Sequence, residues 1–71
     1  MKPESITITA NGKEEQVDSP CSVANFVTER GWKATQIVVE CNGRVLGRAE
    51  LTQTILKNGD NLEVIVPVAG G

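Results

Sequence analysis

The sequence contains no histidine and no tyrosine, one tryptophan and one phenylalanine, and no apolar run long enough to cross a membrane. Without histidine, the usual proton shuttle and the Cys/His nucleophile cannot be built. The 71 residues suffice for one small domain, which removes only about 60% of its unfolded surface from water and leaves little apolar area for a ligand cavity. An enzyme with its own active-site pocket is therefore not expected.

Basic residues are few and scattered. Seven Lys and Arg stand against nine Asp and Glu, which gives a formal net charge of −2 at pH 7. A nucleic-acid-binding surface needs clustered positive charge, so neither nucleic acid nor a membrane surface is an expected partner. The N-terminus has no basic and then apolar segment that would direct secretion, and we predict a soluble, cytoplasmic protein.

The two cysteines, Cys21 and Cys41, lie far apart and lack the paired C-x-x-C spacing of zinc and redox sites, so no metal site is predicted. In a cytoplasmic protein both thiols are expected to be reduced. Cys41 ends a β-branched run and is interpreted as core. Cys21 would have a favoured thiolate if it lies at a helix N-terminus, yet no base is available to make it catalytic.

The N-terminal segment predicts a β-hairpin. Residues 5–9 alternate apolar and hydroxyl side chains, the period of a half-buried strand, with Ile6 and Ile8 directed to the core. Asn11-Gly12 follows at once and is a strong hairpin signal, because both residue types tolerate positive φ. Residues 13–17 then return as a polar edge strand.

A helix is predicted over residues 23–30, after a turn in which Ser19 or Ser22 supplies the N-cap. Gly31 provides the left-handed residue that ends such a helix. Trp32, just beyond, is interpreted as a cover over the edge of the core. The apolar face of the helix consists of Val23, Phe26 and Val27.

The second half of the chain predicts a second hairpin and a last strand. Ile37–Cys41 and Arg44–Leu46 flank the turn Asn42-Gly43. Residues 47–59 are interpreted as irregular and end in the tight turn Asn58-Gly59-Asp60. The irregular segment is anchored by Leu51, Ile55 and Leu56. The last strand covers residues 62–66, with its core side formed by Leu62, Val64 and Val66.

These elements predict an α+β fold, in which a mixed sheet of four to five strands carries one main helix packed on one face. Residues 1–67 form a single domain and residues 68–71 a flexible C-terminal tail. Nothing in the body of this domain offers a paired acid and base, and three of its carboxylates are expected to be solvated: Glu40, Asp60 and Glu63.

The end of the sequence, Gly70-Gly71, is the feature with chemical potential. An extended tail from Pro67 reaches about 17 Å at roughly 3.4 Å per residue, and residues without Cβ pass through channels that are closed to others. The α-carboxylate of Gly71, with a reference pKa of about 3.3 to 3.7, is ionised at pH 7 and is a nucleophile toward an activated phosphate. The alternative is a frayed tail without function.

Segments over nearly the whole chain carry a family resemblance. They are Ser22-Val23-Ala24, Val39-Glu40-Cys41-Asn42-Gly43 with Val45, Leu56-Lys57-Asn58-Gly59-Asp60, Leu62-Glu63-Val64 and Val68-Ala69-Gly70-Gly71. In these segments the chain resembles the ThiS family, the sulfur carriers of thiamin thiazole synthesis. The resemblance implies the ubiquitin-like β-grasp fold, which agrees with the order of the predicted elements.

The resemblance also implies partners. The Gly71 carboxylate would attack the α-phosphate of ATP inside a ubiquitin-activating-type, ThiF-like adenylyltransferase, and sulfur from a cysteine desulfurase or another persulfide donor would displace AMP. The thiocarboxylate would then donate sulfur to a ThiG-like thiazole synthase. The chain would be a co-substrate and not an enzyme, would bind no cofactor itself and would be a monomer when free. The tail that enters the partner's active site would comprise Pro67, Val68, Ala69 and Gly70.

Docking on such partners needs an exposed apolar patch. Ile65 faces away from the core side of the last strand, and we expect it to contribute to this patch with Val38 beside it. Arg44 and Arg48 are candidates for pairing with an acidic partner surface, although a solvated face is the commoner role of such residues.

Three other functions use the same residues. A small subunit of molybdopterin synthase would share the fold, the tail and the sulfur chemistry but use another sulfur acceptor. A β-grasp interaction module would bind through Ile65 and carry an inert tail. A protein tag would form isopeptide conjugates through Gly71.

Overall fold

The computed structural model describes residues 4–68, and within them lie five strands, two α-helices and a short 3-10 helix at Ala34–Gln36. The strands and α-helices are β1 (Glu4–Ala10), β2 (Lys13–Ser19), α1 (Val23–Glu29), β3 (Val38–Cys41), β4 (Arg44–Leu46), α2 (Arg48–Gln53) and β5 (Asn61–Ile65). The strands form one mixed sheet in the order β2-β1-β5-β3-β4. β1 and β5 run parallel, whereas the other three neighbouring pairs are antiparallel. The predicted α+β fold is confirmed.

β1 and β2 form the predicted hairpin, and β2 is an edge strand. The turn residues Asn11 and Gly12 have φ values of 52° and 79°, the left-handed region that these residue types tolerate. Alternation along β1 buries Ile8 and leaves the hydroxyl side chains on the other side of the sheet. The local pattern of the sequence is thus sufficient for this hairpin.

Helix α1 begins after Ser22, whose Oγ accepts a hydrogen bond from the Asn25 N–H at 3.0 Å. Ser22, and not Ser19, is therefore the N-cap. The helix ends where Gly31 adopts a φ of 92° and the Trp32 N–H donates to the carbonyl of Val27 at 3.0 Å. Trp32 is half-buried against the core, as predicted.

The core lies between α1 and one face of the sheet. Its largest fully buried side chains are Phe26, Ile8, Leu56, Leu62, Val23, Val27 and Val39. Cys41 is buried among them, as predicted, and both cysteines are free thiols. Arg30 covers the end of this core, because its guanidinium lies 4.6 Å from the centre of the Phe26 ring and pairs with Glu15 of β2 at 2.6 Å.

The prediction that residues 47–59 are irregular is wrong, since residues 48–53 form α2. Gly47 is the N-cap, and the Glu50 side chain reaches back to accept from the Gly47 N–H at 2.8 Å. Leu51 points into the core. The helix has six residues, too few for a sustained periodic pattern, so only the Gly-x-x-Glu spacing signals it.

Two predicted core residues are exposed, Ile55 at 48% and Val66 at 58%. Ile55 forms an isolated bridge with Ser22, and the Leu56 N–H donates to the carbonyl of Cys21 at 2.8 Å. This pairing directs Leu56 inward and Ile55 outward because neighbouring residues of an extended segment alternate. Val66 follows the end of β5 and lies beyond the last residue that pairs with β3.

The prediction of a 1–67 domain with a 68–71 tail remains a prediction, because Ala69, Gly70 and Gly71 lie outside the described residues. Within the described range, no helix has the length and apolar character needed to span a membrane.

Candidate functional site

β5 is the central strand of the sheet, and the C-terminal end of the described chain leaves from it. β1 flanks β5 as far as the pair Ala10 and Leu62, and β3 flanks it as far as the pair Val38 and Ile65. The strand that precedes the predicted tail is therefore held from two sides by long-range pairing.

The two Asn-Gly turns also bind β5, one at each end. At its start, Asn42 Oδ1 accepts from the Asn61 N–H at 2.9 Å, and Asn42 Nδ2 donates to Asp60 Oδ1 at 3.0 Å. Near its end, Asn11 Oδ1 accepts from the Val64 N–H at 2.7 Å, and Asn11 Nδ2 donates to the Val64 carbonyl at 3.3 Å. Sequence reasoning identified both asparagines as turn formers and missed this second role.

Asp60, expected to be solvated, has structural partners besides Asn42. Its Oδ2 accepts from the Lys57 N–H at 2.7 Å, and its carbonyl accepts from the Thr9 N–H at 2.9 Å. Asn58 Oδ1 likewise accepts from the Thr7 N–H at 2.8 Å. The predicted turn before the last strand is confirmed, and these bonds attach it to β1.

The sheet face opposite α1 carries the predicted docking residues. Val38 and Ile65 are directly opposite each other on β3 and β5, with Val38 half-buried and Ile65 42% exposed. The next outward pair is Glu40 and Glu63, and Val45 of β4 lies opposite Glu40. We call these five residues the open face. The structure brings Ile65 and Val38 together, while their contact with a partner stays a prediction.

The two predicted arginines differ in what they contact. Arg44 Nη1 donates to Glu50 Oε2 at 2.8 Å, with the Arg44 side chain 66% exposed. The Gly47 N–H and then Arg44 hold the pKa of Glu50 below its ordinary value. Arg44 thus supports the start of α2. Arg48, the first residue of α2, is exposed and makes no ion pair within residues 4–68.

An open, mostly apolar groove of about 460 Å³ lies beside the exit of β5. One side is the segment Thr35–Val38, and the other is formed by Val66 and Pro67. Pro67 is exposed and Val68 is 93% exposed. The two predicted tail residues that the structure describes therefore lie in solvent, whereas Ala69, Gly70 and Gly71 are beyond the described range.

The expectation of a favoured Cys21 thiolate is wrong. Cys21 precedes the N-cap of α1, but burial, and then the Glu29 carboxylate, raise the pKa of its thiol. Its Sγ donates to the Ser22 carbonyl at 3.4 Å. Burial also raises the pKa of the Cys41 thiol. Residues 4–68 contain no group of three or more side chains suited to hold a metal ion.

A family model matches residues 4–71, and it is that of the ThiS family. The chain belongs to the ThiS family. Its fold is the ubiquitin-like β-grasp of ThiS structures. It is accordingly a small sulfur carrier of thiamine biosynthesis and not itself an enzyme, and the family implies partners among sulfur-transfer and thiazole-synthesis enzymes.

Two solved structures are similar to this ThiS-family chain. A crystal structure of the thiamine biosynthesis protein ThiS from Geobacter metallireducens is 32% identical, with 93% of this chain and 100% of that chain covered and a TM-score of 0.79. A solution NMR structure of a thiamine biosynthesis protein from the same organism has 32% identity, coverages of 93% and 88%, and a TM-score of 0.76. None of the curated proteins matches the chain.

Proposed function

We propose that the Gly71 carboxylate of this ThiS-family chain is the sulfur-carrying group. The family match that extends over residues 4–71 carries this proposal, because it includes the Gly70-Gly71 end. Exposure of Val66, Pro67 and Val68 supports it, since the chain beyond β5 is available to a partner.

In the first step, a carboxylate oxygen of Gly71 attacks the α-phosphate of ATP in a ThiF-like adenylyltransferase. The bond between the α- and β-phosphates breaks, and an acyl adenylate and pyrophosphate form. ATP is a substrate of the partner, which supplies the groups that stabilise the transferred phosphate. The chain contributes a nucleophile that is ionised at pH 7 and a terminus without side chains at its last two positions.

In the second step, a persulfide sulfur attacks the acyl carbon and AMP leaves. The donor is a cysteine desulfurase or another persulfide protein. A thiol then cleaves the S–S bond of the acyl disulfide, which is reduced to the Gly71 thiocarboxylate while the thiol is oxidised. The thiocarboxylate donates its sulfur to a ThiG-like thiazole synthase. Pro67, Val68, Ala69 and Gly70 form the tail that enters each partner's active site.

Partners bind on the open face in this proposal. Val38, which is half-buried, and Ile65, which is exposed, form an apolar pair at the end of β5 from which the tail leaves, and burial of apolar area is the main source of binding energy. Within residues 4–68 Arg48 makes no ion pair, so its guanidinium is available to an acidic side chain of a partner. Arg44 would have to give up its ion pair with Glu50 or share it. Arg48 is therefore the better candidate of the two.

The experiment combines the purified chain with a ThiF-like adenylyltransferase, ATP, a persulfide donor and a reducing thiol, and measures pyrophosphate release and intact protein mass. We expect ATP-dependent release and a mass change equal to replacement of one oxygen by sulfur. A variant with one extra residue after Gly71 should show neither, because its attacking carboxylate is displaced from the adenylation site. The matched control carries the same extra residue before Met1. Sulfur transfer by the C-terminally extended variant would contradict the proposal.

A further inference from the structure

The pairing of β5 with β1 ends at Leu62, two residues before Val64. β1 pairs with β5 through Ala10 and Leu62, and the Asn11 N–H still donates to the Leu62 carbonyl at 2.9 Å. The chain then turns away into β2. The N–H and C=O of Val64, which point to the same side as those of Leu62, would therefore have no strand to bind.

The Asn11 side chain takes the place of that missing strand. Its amide offers one acceptor and one donor in a fixed plane, as a peptide group does. The acceptor lies 2.7 Å from the Val64 nitrogen and the donor 3.3 Å from the Val64 oxygen. Val64 itself is only 7% exposed, so both of its backbone groups need protein partners.

Asn11 is also the last contact on this side of the strand. Within residues 4–68 the backbone of Val66 makes no hydrogen bond, and β5 ends at Ile65. On the other side, Thr35–Val38 line the groove next to Val66 and Pro67. The last hydrogen bonds that hold the chain before it leaves the sheet are thus those of Asn11 on one side and the pairing with β3 on the other.

We infer that Asn11 is a positioning residue, which fixes the exit of the C-terminal segment so that its end meets a partner's active site in the reactive geometry. This inference rests on the proposed function and adds a residue to it. Orientation contributes strongly to rate, and a misplacement of about 1 Å can cost on the order of 100-fold. Loss of the Asn11 contacts should therefore slow adenylation while the open face still docks.

The test uses Asn11→Gly, because glycine accepts the φ of 52° at this position and keeps a hairpin turn while both side-chain bonds disappear. Asn42→Gly is the matched control. Asn42 has a φ of 53° before another glycine, and its side chain also binds β5, but at the start of the strand. Both variants should lose stability, and Asn11→Gly should lose more, because the Val64 N–H that it leaves unpaired is buried whereas Asn61 is exposed.

Hydrogen exchange measured by NMR tests the contact itself. We expect exchange of the Val64 amide to accelerate about tenfold or more in Asn11→Gly relative to Asn42→Gly, because a buried donor loses its acceptor. Asn11→Asp retains the acceptor at 2.7 Å and loses the donor, so its Val64 amide should exchange at a rate between those of the parent and Asn11→Gly. Equal exchange rates of the Val64 amide in Asn11→Gly and Asn42→Gly would show that Asn11 does not hold the Val64 N–H.

Adenylation kinetics test the consequence, with ATP and a ThiF-like adenylyltransferase. We expect kcat of Asn11→Gly to fall about tenfold with KM within about twofold of the parent, and Asn42→Gly to keep both constants. Equal kcat for the two variants would overturn the positioning role. If the parent chain is not adenylated at all, the proposed function fails and this role with it, while the exchange result still decides whether Asn11 holds Val64.

Discussion

Neutralising one carboxylate of the cross-strand pair Glu40 and Glu63 should stabilise the protein. The two residues are directly opposite on β3 and β5, on the solvent side of the sheet, and neither forms an ion pair within residues 4–68. Like charges placed directly opposite each other destabilise a sheet. The variants Glu40→Gln and Glu63→Gln remove one charge each and keep nearly the same shape.

The register determines the size of the effect. Val64 and Leu62 direct their backbone groups toward Asn11, so Glu63 directs its own toward β3, and the glutamates form a hydrogen-bonded pair with Cα atoms about 5.5 Å apart. Carboxylates roughly 7 Å apart in water repel by about 0.6 kcal/mol. Screening at a Debye length of about 8 Å reduces this to about 0.25 kcal/mol at 0.15 M salt.

Urea unfolding followed by the fluorescence of Trp32 measures the change. Trp32 is the only tryptophan and is half-buried against the core, so its emission reports on global unfolding. At about 0.01 M salt, where screening is weak, each single variant should gain about 0.5 kcal/mol, equivalent to roughly 2–4 °C in Tm. The gain should shrink at 0.15 M salt, and the double variant should add nothing further.

The control is Glu14→Gln, since Glu14 on β2 is exposed and lies opposite Thr9, an uncharged residue. This variant should leave the free energy of unfolding unchanged at both salt concentrations. The reasoning is refuted if Glu14→Gln gains as much as the paired variants, or if the gains of Glu40→Gln and Glu63→Gln are additive and independent of salt.

Two further predictions concern the helix starts. The pKa of Glu50 lies below its ordinary value of 4.5 in the folded chain, so the contribution of Glu50 to stability is complete above the unfolded-state pKa and is lost as pH falls through the folded-state pKa. The difference in urea midpoint between the parent and Glu50→Gln should therefore shrink from pH 6 to pH 3. A difference that stays constant would contradict this prediction. Ser22→Ala should lower the free energy of unfolding by about 0.5–2 kcal/mol in urea, because the hydrogen bond from the Asn25 N–H is lost. Ser19→Ala should lower it by less than half as much. Equal losses would disprove the assignment of Ser22 as the N-cap.

Local signals were sufficient for much of this fold. Positive φ values, which few residue types tolerate, are required in the hairpin turns Asn11-Gly12 and Asn42-Gly43 and at Gly31, where α1 ends. The buried face of α1 follows from helical periodicity alone, and all three of its predicted residues are buried. The candidate Ile65 followed from alternation along the last strand, with Val38 expected beside it, and the structure places the two opposite each other.

The predictions from sequence were wrong where the environment of a residue depends on distant parts of the chain. Ile55 and Val66 are apolar and continue a plausible pattern, but both are exposed. Ile55 forms the isolated bridge with Ser22 and is directed outward there, and Val66 lies past the end of β5. Cys21 has the helix-terminal position that favours a thiolate, and burial outweighs that position.

The sequence by itself determined the turns, the buried faces and the Gly70-Gly71 end, because each depends on the conformations and charges available to neighbouring residues. Only the tertiary structure decided that Asn11 binds Val64, 53 positions away, and that Asn42 binds Asn61. An asparagine at a turn has the same local conformation whether its amide faces water or a strand. What it binds is decided by which strand the folded sheet places beside it.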